Sequence, residues 1–149
     1  MEIERKFLIE RLPGDAERAP SRRIDQGYLA LDEAAEVRLR RYGEELWLTI
    51  KGTGGLARVE EELALAPEQF ESLWPLTEGR RIEKTRHVLP DGVEVDVYGA
   101  ELAGLVVAEI EFASEDESAA FEPPDWFGPE VTEDESYKNR ALAVDGRPG

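Results

Sequence analysis

The sequence contains no cysteine and a single histidine, His87, among its 149 residues. Without cysteine, the chain has no disulfide framework and no thiolate metal site. Lysine is also scarce, since four of the 18 basic residues are lysines and the other 14 are arginines. In a chain this rich in arginine, we interpret the lysines as positions that need a compact ammonium group.

Long apolar runs are absent as well. No stretch approaches the roughly 20 apolar residues of a membrane helix, and no charged-then-apolar leader precedes the first strand pattern. The net charge of −16, from 34 acidic and 18 basic residues, argues against a broad basic surface for nucleic acid. We therefore predict one domain over residues 1–149, in a cytoplasmic protein without membrane or nucleic-acid partners.

Alternation of apolar and charged residues predicts β-strands along most of the chain. Tight turns join several of them, and Pro90-Asp91-Gly92 is a strong hairpin signal. Consecutive strands with short turns indicate an antiparallel sheet accompanied by few helices. The predicted strands are Glu2–Ile9, Ile24–Leu31, Ala35–Arg41, Glu45–Thr53, Leu56–Leu65, Arg80–Leu89, Gly92–Tyr98 and Leu105–Phe112.

The remaining segments predict helices and short connections. Helices are expected at Pro67–Leu76 and Glu135–Val144, and a capped helix begins at Ser114, with Glu117 completing the capping box. Glu130–Thr132 is a short strand candidate. The glycine-rich GTGG at 52–55 joins two strands, so it indicates a hairpin turn instead of a phosphate loop. The three tryptophans are interpreted as packing residues, with Trp126 closing one end or covering the outer wall.

Each strand carries apolar residues on one face and charges of both signs on the other. In VRLR at 37–40 and VEVDV at 93–97, for example, the two rows separate cleanly. A charged face normally lies in solvent, but here it consists almost wholly of Arg, Lys, Glu and Asp. We therefore predict an α+β fold: an eight-stranded antiparallel β-barrel with the charges lining an internal tunnel and a few helices packed outside. His87 should then point outward, away from Arg86.

Such a lining indicates a specific chemistry. Clustered carboxylates without cysteine suit a hard cation such as Mg²⁺ or Mn²⁺. Converging Arg and Lys side chains suit a polyanion with many phosphate oxygens. Together they are the components of metal-assisted phosphoryl transfer.

Ten segments in chain order resemble the CYTH superfamily, the triphosphate tunnel metalloenzymes, and in particular its short tripolyphosphatase-like members. The first is the E-x-E-x-K pentad at 2–6. The others are QGYL (26–29), VRLR (37–40), LTIKG (48–52), RVEEEL (58–63), IEKTR (82–86), EVDVY (94–98), LVVAEIEF (105–112), EVT (130–132) and YKNRAL (137–142).

The resemblance implies a set of site residues. Lys6 and Tyr28 match a pair that orients the attacking water, although Tyr28 could instead be a buried aromatic with a satisfied hydroxyl. The metal-binding acids implied are Glu2, Glu4, Glu109 and Glu111, with Glu60, Glu62 and Asp96 nearby or at a second ion. The phosphate-binding bases implied, besides Lys6, are Arg38, Arg40, Lys51, Arg58, Lys84, Arg86 and Lys138, the last of which could instead lie on a helix surface.

The implied activity is Mg²⁺- or Mn²⁺-dependent hydrolysis of a small triphosphate, most simply inorganic tripolyphosphate, with release of orthophosphate. The alternatives are a class IV adenylate cyclase, a thiamine triphosphatase and a non-catalytic polyphosphate-binding protein. Members of the superfamily often pair, so a homodimer is a further expectation.

Overall fold

The structure is a computed structural model that describes residues 3–56 and 59–148, apart from the side chain of Leu56. Its eight strands form one antiparallel sheet in the order β1-β8-β7-β6-β2-β3-β4-β5. The strands are β1 (Ile3–Leu8), β2 (Ser21–Leu31), β3 (Ala35–Tyr42), β4 (Glu45–Gly52), β5 (Glu60–Ala64), β6 (Arg81–Val88), β7 (Glu94–Tyr98) and β8 (Val106–Phe112).

The described residues also form four short α-helices and four 3₁₀ turns, which lie between the strands or follow β8. The α-helices are α1 (Gly14–Glu17), α2 (Pro67–Leu73), α3 (Glu115–Ala120) and α4 (Asn139–Asp145), and the 3₁₀ turns are Gly54–Leu56, Trp74–Thr77, Ala100–Leu102 and Glu135–Tyr137. Within the described ranges, no helix combines the length and the apolar character that crossing a bilayer requires.

Several predicted elements differ from the observed ones. The helix predicted at Pro67–Leu76 ends at Leu73, and the chain continues as a 3₁₀ turn because Pro75 has no N–H to donate. The helix predicted at Glu135–Val144 is interrupted by Lys138, whose backbone is extended. The short strand predicted at Glu130–Thr132 is reduced to one bridge between Glu130 and Phe7.

The sheet curves far enough to enclose a space. Glu4 and Lys6 on β1, at one end of the strand order, line the same cavity as Lys51 on β4, next to the other end. The predicted eight-stranded antiparallel tunnel fold is thus confirmed, with one difference. In the described part of the chain, no hydrogen-bonded ladder joins β1 to β5, so the barrel is open along that seam.

The outward apolar row is covered by the segment after α3. Val95, Ala108 and Ile110 are buried on the outside of β7 and β8, where Trp126 and Phe127 pack against them. Burying one such side chain contributes about 1.5–3 kcal/mol. The prediction that Trp126 covers the outer wall is confirmed.

A second apolar cluster closes part of the interior. Tyr28, Ile82 and Tyr98 point inward from three strands and pack with Leu142 and Ala143 of α4. The Tyr98 hydroxyl also donates to Oδ1 of Asn139, at 2.9 Å, which ties the first turn of α4 to the sheet. This packing brings the neighbouring Lys138 to the rim of the enclosed space.

Candidate active site

Strand register places the predicted charged residues on one face of the sheet. Residues paired across an antiparallel ladder point to the same side. Lys6 lies opposite Glu109, and Tyr28 lies opposite Arg38. The same pairings run across all eight strands. The inner face so defined carries Glu4, Lys6, Gln26, Tyr28, Glu36, Arg38, Arg40, Lys51, Glu60, Glu62, Lys84, Arg86, Glu94, Asp96, Glu109 and Glu111.

A cavity of about 410 Å³, here called the mouth cavity, opens between the inner face and the segment 131–140. It brings together six residues that the sequence predicted for the site: Glu4, Lys6, Tyr28, Arg38, Lys51 and Lys138. Three of the four lysines therefore line one space, as expected if lysine is reserved for sites that need an ammonium. Lys138 is half exposed and pairs with Glu135 at 3.1 Å, so it reaches the rim from a solvated position.

Elsewhere on the inner face, Lys84 and Arg86 share the buried carboxylate of Asp96. The Lys84 Nζ lies 2.8 Å from Asp96 Oδ2, and the Arg86 Nε lies 2.8 Å from Oδ1. Burial by itself raises the pKa of Asp96, but the two bases outweigh it and lower the pKa to about 2. Burial also lowers the pKa of Lys84, against the opposing effect of Asp96. The carboxylate that was predicted as a metal ligand thus already accepts from two bases in this structure.

Two arginines of β3 carry buried nitrogen atoms without partners. Nε of Arg38 and Nε of Arg40 have no hydrogen-bond partner among the described residues. Burial lowers the pKa of Arg40, and the positive charges of Arg86 and Arg38 lower it further. A buried guanidinium with an unsatisfied N–H, next to further cations, is costly for the fold by itself.

The hydroxyl of Tyr28 lies in a dense polar network at the mouth cavity. The Gln26 Nε2 donates to it at 2.7 Å, and the Glu36 carboxylate, paired with Arg38 at 3.0 Å, lies nearby. Burial raises the pKa of Tyr28, and the charge of Glu36 adds to this effect, to about 12. Tyr28 is therefore a neutral phenol at physiological pH.

The glutamates of β1 and β8 are arranged in pairs. Glu4 lies opposite Glu111, and Glu109 lies opposite both Lys6 and Glu94. Their carboxylate oxygens are the donors that Mg²⁺ and Mn²⁺ prefer. Over residues 3–56 and 59–148, however, no three His, Cys, Asp or Glu side chains form a ready-made metal cluster. A cation held here would need two protein carboxylates and oxygens from a ligand.

Two predicted site residues lie at the margin of this arrangement, and two others are not among the described residues. Glu60 and Glu62 occupy the inner face of β5 by register, opposite Lys51 and Thr49, but are exposed. Glu2 and Arg58 lie outside the described residues, so their predicted roles stay predictions. His87 lies on the outward face, opposite in direction to Arg86, as expected.

Comparison with known proteins identifies the family. The chain is 52% identical over 149 residues to the inorganic triphosphatase of Nitrosomonas europaea, covering 96% of this chain and 97% of that protein. It is 40% identical over 148 residues to the inorganic triphosphatase of Acetivibrio thermocellus, covering 95% and 92%. The chain belongs to the inorganic triphosphatase family. No family model matches the chain.

Solved structures agree with membership of the inorganic triphosphatase family. The crystal structure of an inorganic triphosphatase superposes with a TM-score of 0.81 and 47% identity, over 100% of this chain and 97% of that chain. A Hippeastrum protein, a candidate adenylyl cyclase with a dominant triphosphatase activity, shares only the fold, at 13% identity and a TM-score of 0.52 over 80% and 83% of the two chains. The predicted resemblance to the triphosphate tunnel proteins is confirmed.

For a chain of the inorganic triphosphatase family, sequence reasoning missed several polar residues at the site, including Gln26, Glu36, Asn139 and Arg140. Glu36, Asn139 and Arg140 line the mouth cavity, and Gln26 contacts Tyr28. Two of them had a usable signal, because Gln26 and Glu36 each lie two residues before a predicted site residue and so share its face. Asn139 and Arg140 lie in the family-like segment YKNRAL (137–142), but strand periodicity could not place them, because their position depends on how α4 packs against the sheet.

Proposed function

We propose that this chain hydrolyses inorganic tripolyphosphate to orthophosphate and pyrophosphate in the mouth cavity. The observation that carries the proposal is the pair of buried, unpartnered Nε atoms of Arg38 and Arg40, on the same face as Lys6 and Lys51. Guanidinium groups with unsatisfied N–H donors, on the same face as ammonium groups, suit a compact polyanion with many acceptor oxygens. The activity of the two curated relatives supports the same substrate.

The reaction requires positioning and charge neutralisation more than covalent chemistry by the protein. A water oxygen attacks the terminal phosphorus, the bond from that phosphorus to the bridging oxygen breaks, and pyrophosphate leaves with the electron pair. The surplus proton of the water passes to solvent. Lys6 and Lys51 would hold the substrate's oxygens, and Arg38 would stabilise the charge that develops on them.

Metal dependence is part of the proposal. Glu4 and Glu111, at paired positions of β1 and β8, would hold Mg²⁺ or Mn²⁺ together with oxygens of the substrate. Mg²⁺ commonly binds through one or two carboxylates plus phosphate oxygens, so two protein ligands are sufficient. When bound, such a cation neutralises phosphate charge. Glu109, which lies opposite Lys6, is available either to the cation or to Lys6.

A substrate panel tests the activity and separates the alternatives. The protein is incubated with tripolyphosphate, ATP or thiamine triphosphate, each with Mg²⁺ or Mn²⁺. We expect orthophosphate from tripolyphosphate at the highest kcat/KM. Cyclic AMP formed from ATP would establish a cyclase instead, and a preference for thiamine triphosphate would identify that hydrolase. A raised melting temperature without any turnover would establish a binding protein.

Two variants connect the activity to the mouth cavity. Lys6→Ala and Glu4→Gln should each lower kcat/KM by about 100-fold or more, while the melting temperature changes little. Arg18→Ala is the matched control, because it removes an exposed base that pairs only with Asp15 on α1 among the contacts described. Activity close to wild type in either cavity variant would contradict the proposed site.

The metal component has its own test. Glu111→Gln should raise the Mg²⁺ concentration required for half-maximal activity at least about 10-fold, and it should weaken Mn²⁺ binding measured by calorimetry. Glu71→Gln, an exposed change on α2, should alter neither quantity. Full activity of the wild-type protein in EDTA would contradict metal dependence. The cytoplasmic location and the homodimer stay predictions.

A further inference from the structure

Tyr28 combines a buried ring with a hydroxyl at a polar cavity. The residue is 1% exposed, and its ring belongs to the apolar cluster with Ile82 and Leu142. It nevertheless lines the mouth cavity together with Lys6 and Lys51. A hydroxyl has one proton to donate and two lone pairs that accept, so the groups around it decide which function it presents to a ligand.

Gln26 occupies one acceptor position of that hydroxyl. It precedes Tyr28 by two residues on β2, shares its face, and is 3% exposed. Its Nε2 donates to Tyr28 Oη at 2.7 Å, a short and buried hydrogen bond. An amide NH₂ can only donate. In this contact the tyrosine oxygen therefore accepts, and its own proton stays available.

Two charged side chains of β3, Arg38 and Glu36, also favour Tyr28 as a hydrogen-bond donor. The Arg38 guanidinium lies close enough to the Tyr28 hydroxyl to lower its pKa, so the oxygen lone pairs have a positive group beside them. Burial and the Glu36 carboxylate raise the pKa more strongly, to about 12, and the phenol keeps its proton. Gln26 and Arg38 flank the oxygen, and the nearby Glu36 carboxylate is itself paired with Arg38, so the O–H is left to point toward the ligand space.

We propose that Gln26 is a positioning residue that holds Tyr28 as a hydrogen-bond donor to an oxygen of bound triphosphate. The inference rests on the proposed function and refines it. Tyr28 then acts as a neutral donor that orients the phosphate chain, and it takes no proton from the attacking water. Gln26 itself does not contact the substrate; its effect passes through Tyr28.

A double-mutant cycle tests the coupling. Gln26→Met removes the amide at nearly constant length, and we expect kcat to fall about 5- to 10-fold with a smaller change in KM. Tyr28→Phe should lower kcat about 100-fold. In the Tyr28→Phe background, Gln26→Met should have no further effect. The same factor in both backgrounds would overturn the proposal, since Gln26 would then act independently of Tyr28.

A second variant reverses the polarity of the hydrogen bond. In Gln26→Glu the carboxylate accepts the phenolic proton, so Tyr28 can no longer offer it to a ligand. We expect kcat to fall at least as far as in Tyr28→Phe. Wild-type kcat in this variant would overturn the proposal. Gln69→Met, the same chemical change at the start of α2, is the matched control and should leave kcat unchanged, because the Gln69 side chain accepts from the Ala66 N–H and does not line the mouth cavity.

Binding measurements separate this inference from the proposed function. Calorimetric titration with tripolyphosphate in EDTA measures the binding affinity of the wild type, the two single variants and the double variant, so the double-mutant cycle can be completed without turnover. If wild-type protein binds tripolyphosphate but releases no orthophosphate, the hydrolase proposal fails. The inference survives that result only if the affinity losses of Gln26→Met and Tyr28→Phe are non-additive. Independent losses, or no loss in Tyr28→Phe, would overturn it.

Discussion

Arg86 and Asp96 form a two-point ion pair across adjacent strands of the tunnel. The arginine Nε donates to Oδ1 at 2.8 Å, and Nη2 donates to Oδ2 at 3.0 Å. Lys84, two residues before Arg86 on β6, approaches the same carboxylate from the side of Oδ2. One buried acid therefore fixes the positions of two bases and offsets part of their charge, while Arg40, on the same inner face, keeps an Nε that has no hydrogen-bond partner among the described residues.

Removing that acid should destabilise the fold strongly. Asp96→Asn leaves Lys84 and Arg86 buried without their counter-ion, and breaking a buried pair in this way costs about 3–5 kcal/mol. Urea denaturation gives the free energy of unfolding directly. Asp15→Asn, which breaks the exposed pair with Arg18, is the control and should change it by less than about 0.5 kcal/mol. Equal effects of the two variants would contradict this account of Asp96.

Asp96 should also make the free energy of unfolding depend on pH in the acidic range. Its folded-state pKa of about 2 is below the ordinary value of 3.8. A group with a lowered pKa stabilises the folded state above its unfolded pKa, and that contribution is lost as the pH falls through the folded pKa. We expect the Asp96 contribution to be complete above about pH 4 and to disappear toward pH 2. The difference in unfolding free energy between wild type and Asp96→Asn, measured by urea titration at several pH values, should shrink over that window. A constant difference from pH 7 to pH 2 would show that Asp96 is not the group responsible.

Arg40 should affect affinity and stability in opposite directions. Arg40→Met removes a buried charge without enough counter-ions, so the melting temperature should rise or stay constant. Losing a charged donor to the substrate should weaken tripolyphosphate binding about 10- to 100-fold. Arg41→Met is a close control, because Arg41 is the next residue on β3, faces outward and pairs with Asp25 at 3.5 Å. Equal binding losses in the two variants would exclude a special role for Arg40.

Gly27 permits a close contact between β2 and the turn Trp74–Thr77. A Cβ at this position would lie 2.6 Å from both Cβ and Oγ1 of Thr77, which is fully buried in the turn Trp74–Thr77. Gly27→Ala should therefore destabilise the protein by about 1–3 kcal/mol through overpacking. The melting temperature provides the measurement, with Gly55→Ala as the control, because a Cβ there meets nothing within 4 Å. An unchanged melting temperature in Gly27→Ala would mean that the turn shifts freely.

The sequence predicted the strands well because each hairpin is local. The antiparallel β3–β4 and β6–β7 pairs are the ones expected from the tight turns between them. The predicted N-cap at Ser114 is also confirmed, since the Glu117 N–H donates to Ser114 Oγ at 3.1 Å. The reciprocal bond of a capping box differs from the prediction, because the Glu117 carboxylate accepts from the N–H of Ala113 at 3.2 Å, one residue before the cap. The last helix was less predictable, because the extended backbone of Lys138 separates the turn Glu135–Tyr137 from α4.

Alternation with a period of two determined from the sequence alone which side chains share a face, and hence the composition of the tunnel lining. Only the tertiary structure decided which charges neutralise one another. Asp96 pairs with Lys84 and Arg86, whereas Arg38 and Arg40 each keep a buried Nε without a hydrogen-bond partner among the described residues. That outcome depends on the register of strands far apart in the chain, such as β2 with β6 and β1 with β8. The pairing register of strands far apart in the chain is set by the packing of the whole sheet, and it cannot be read from the spacing of residues within one strand.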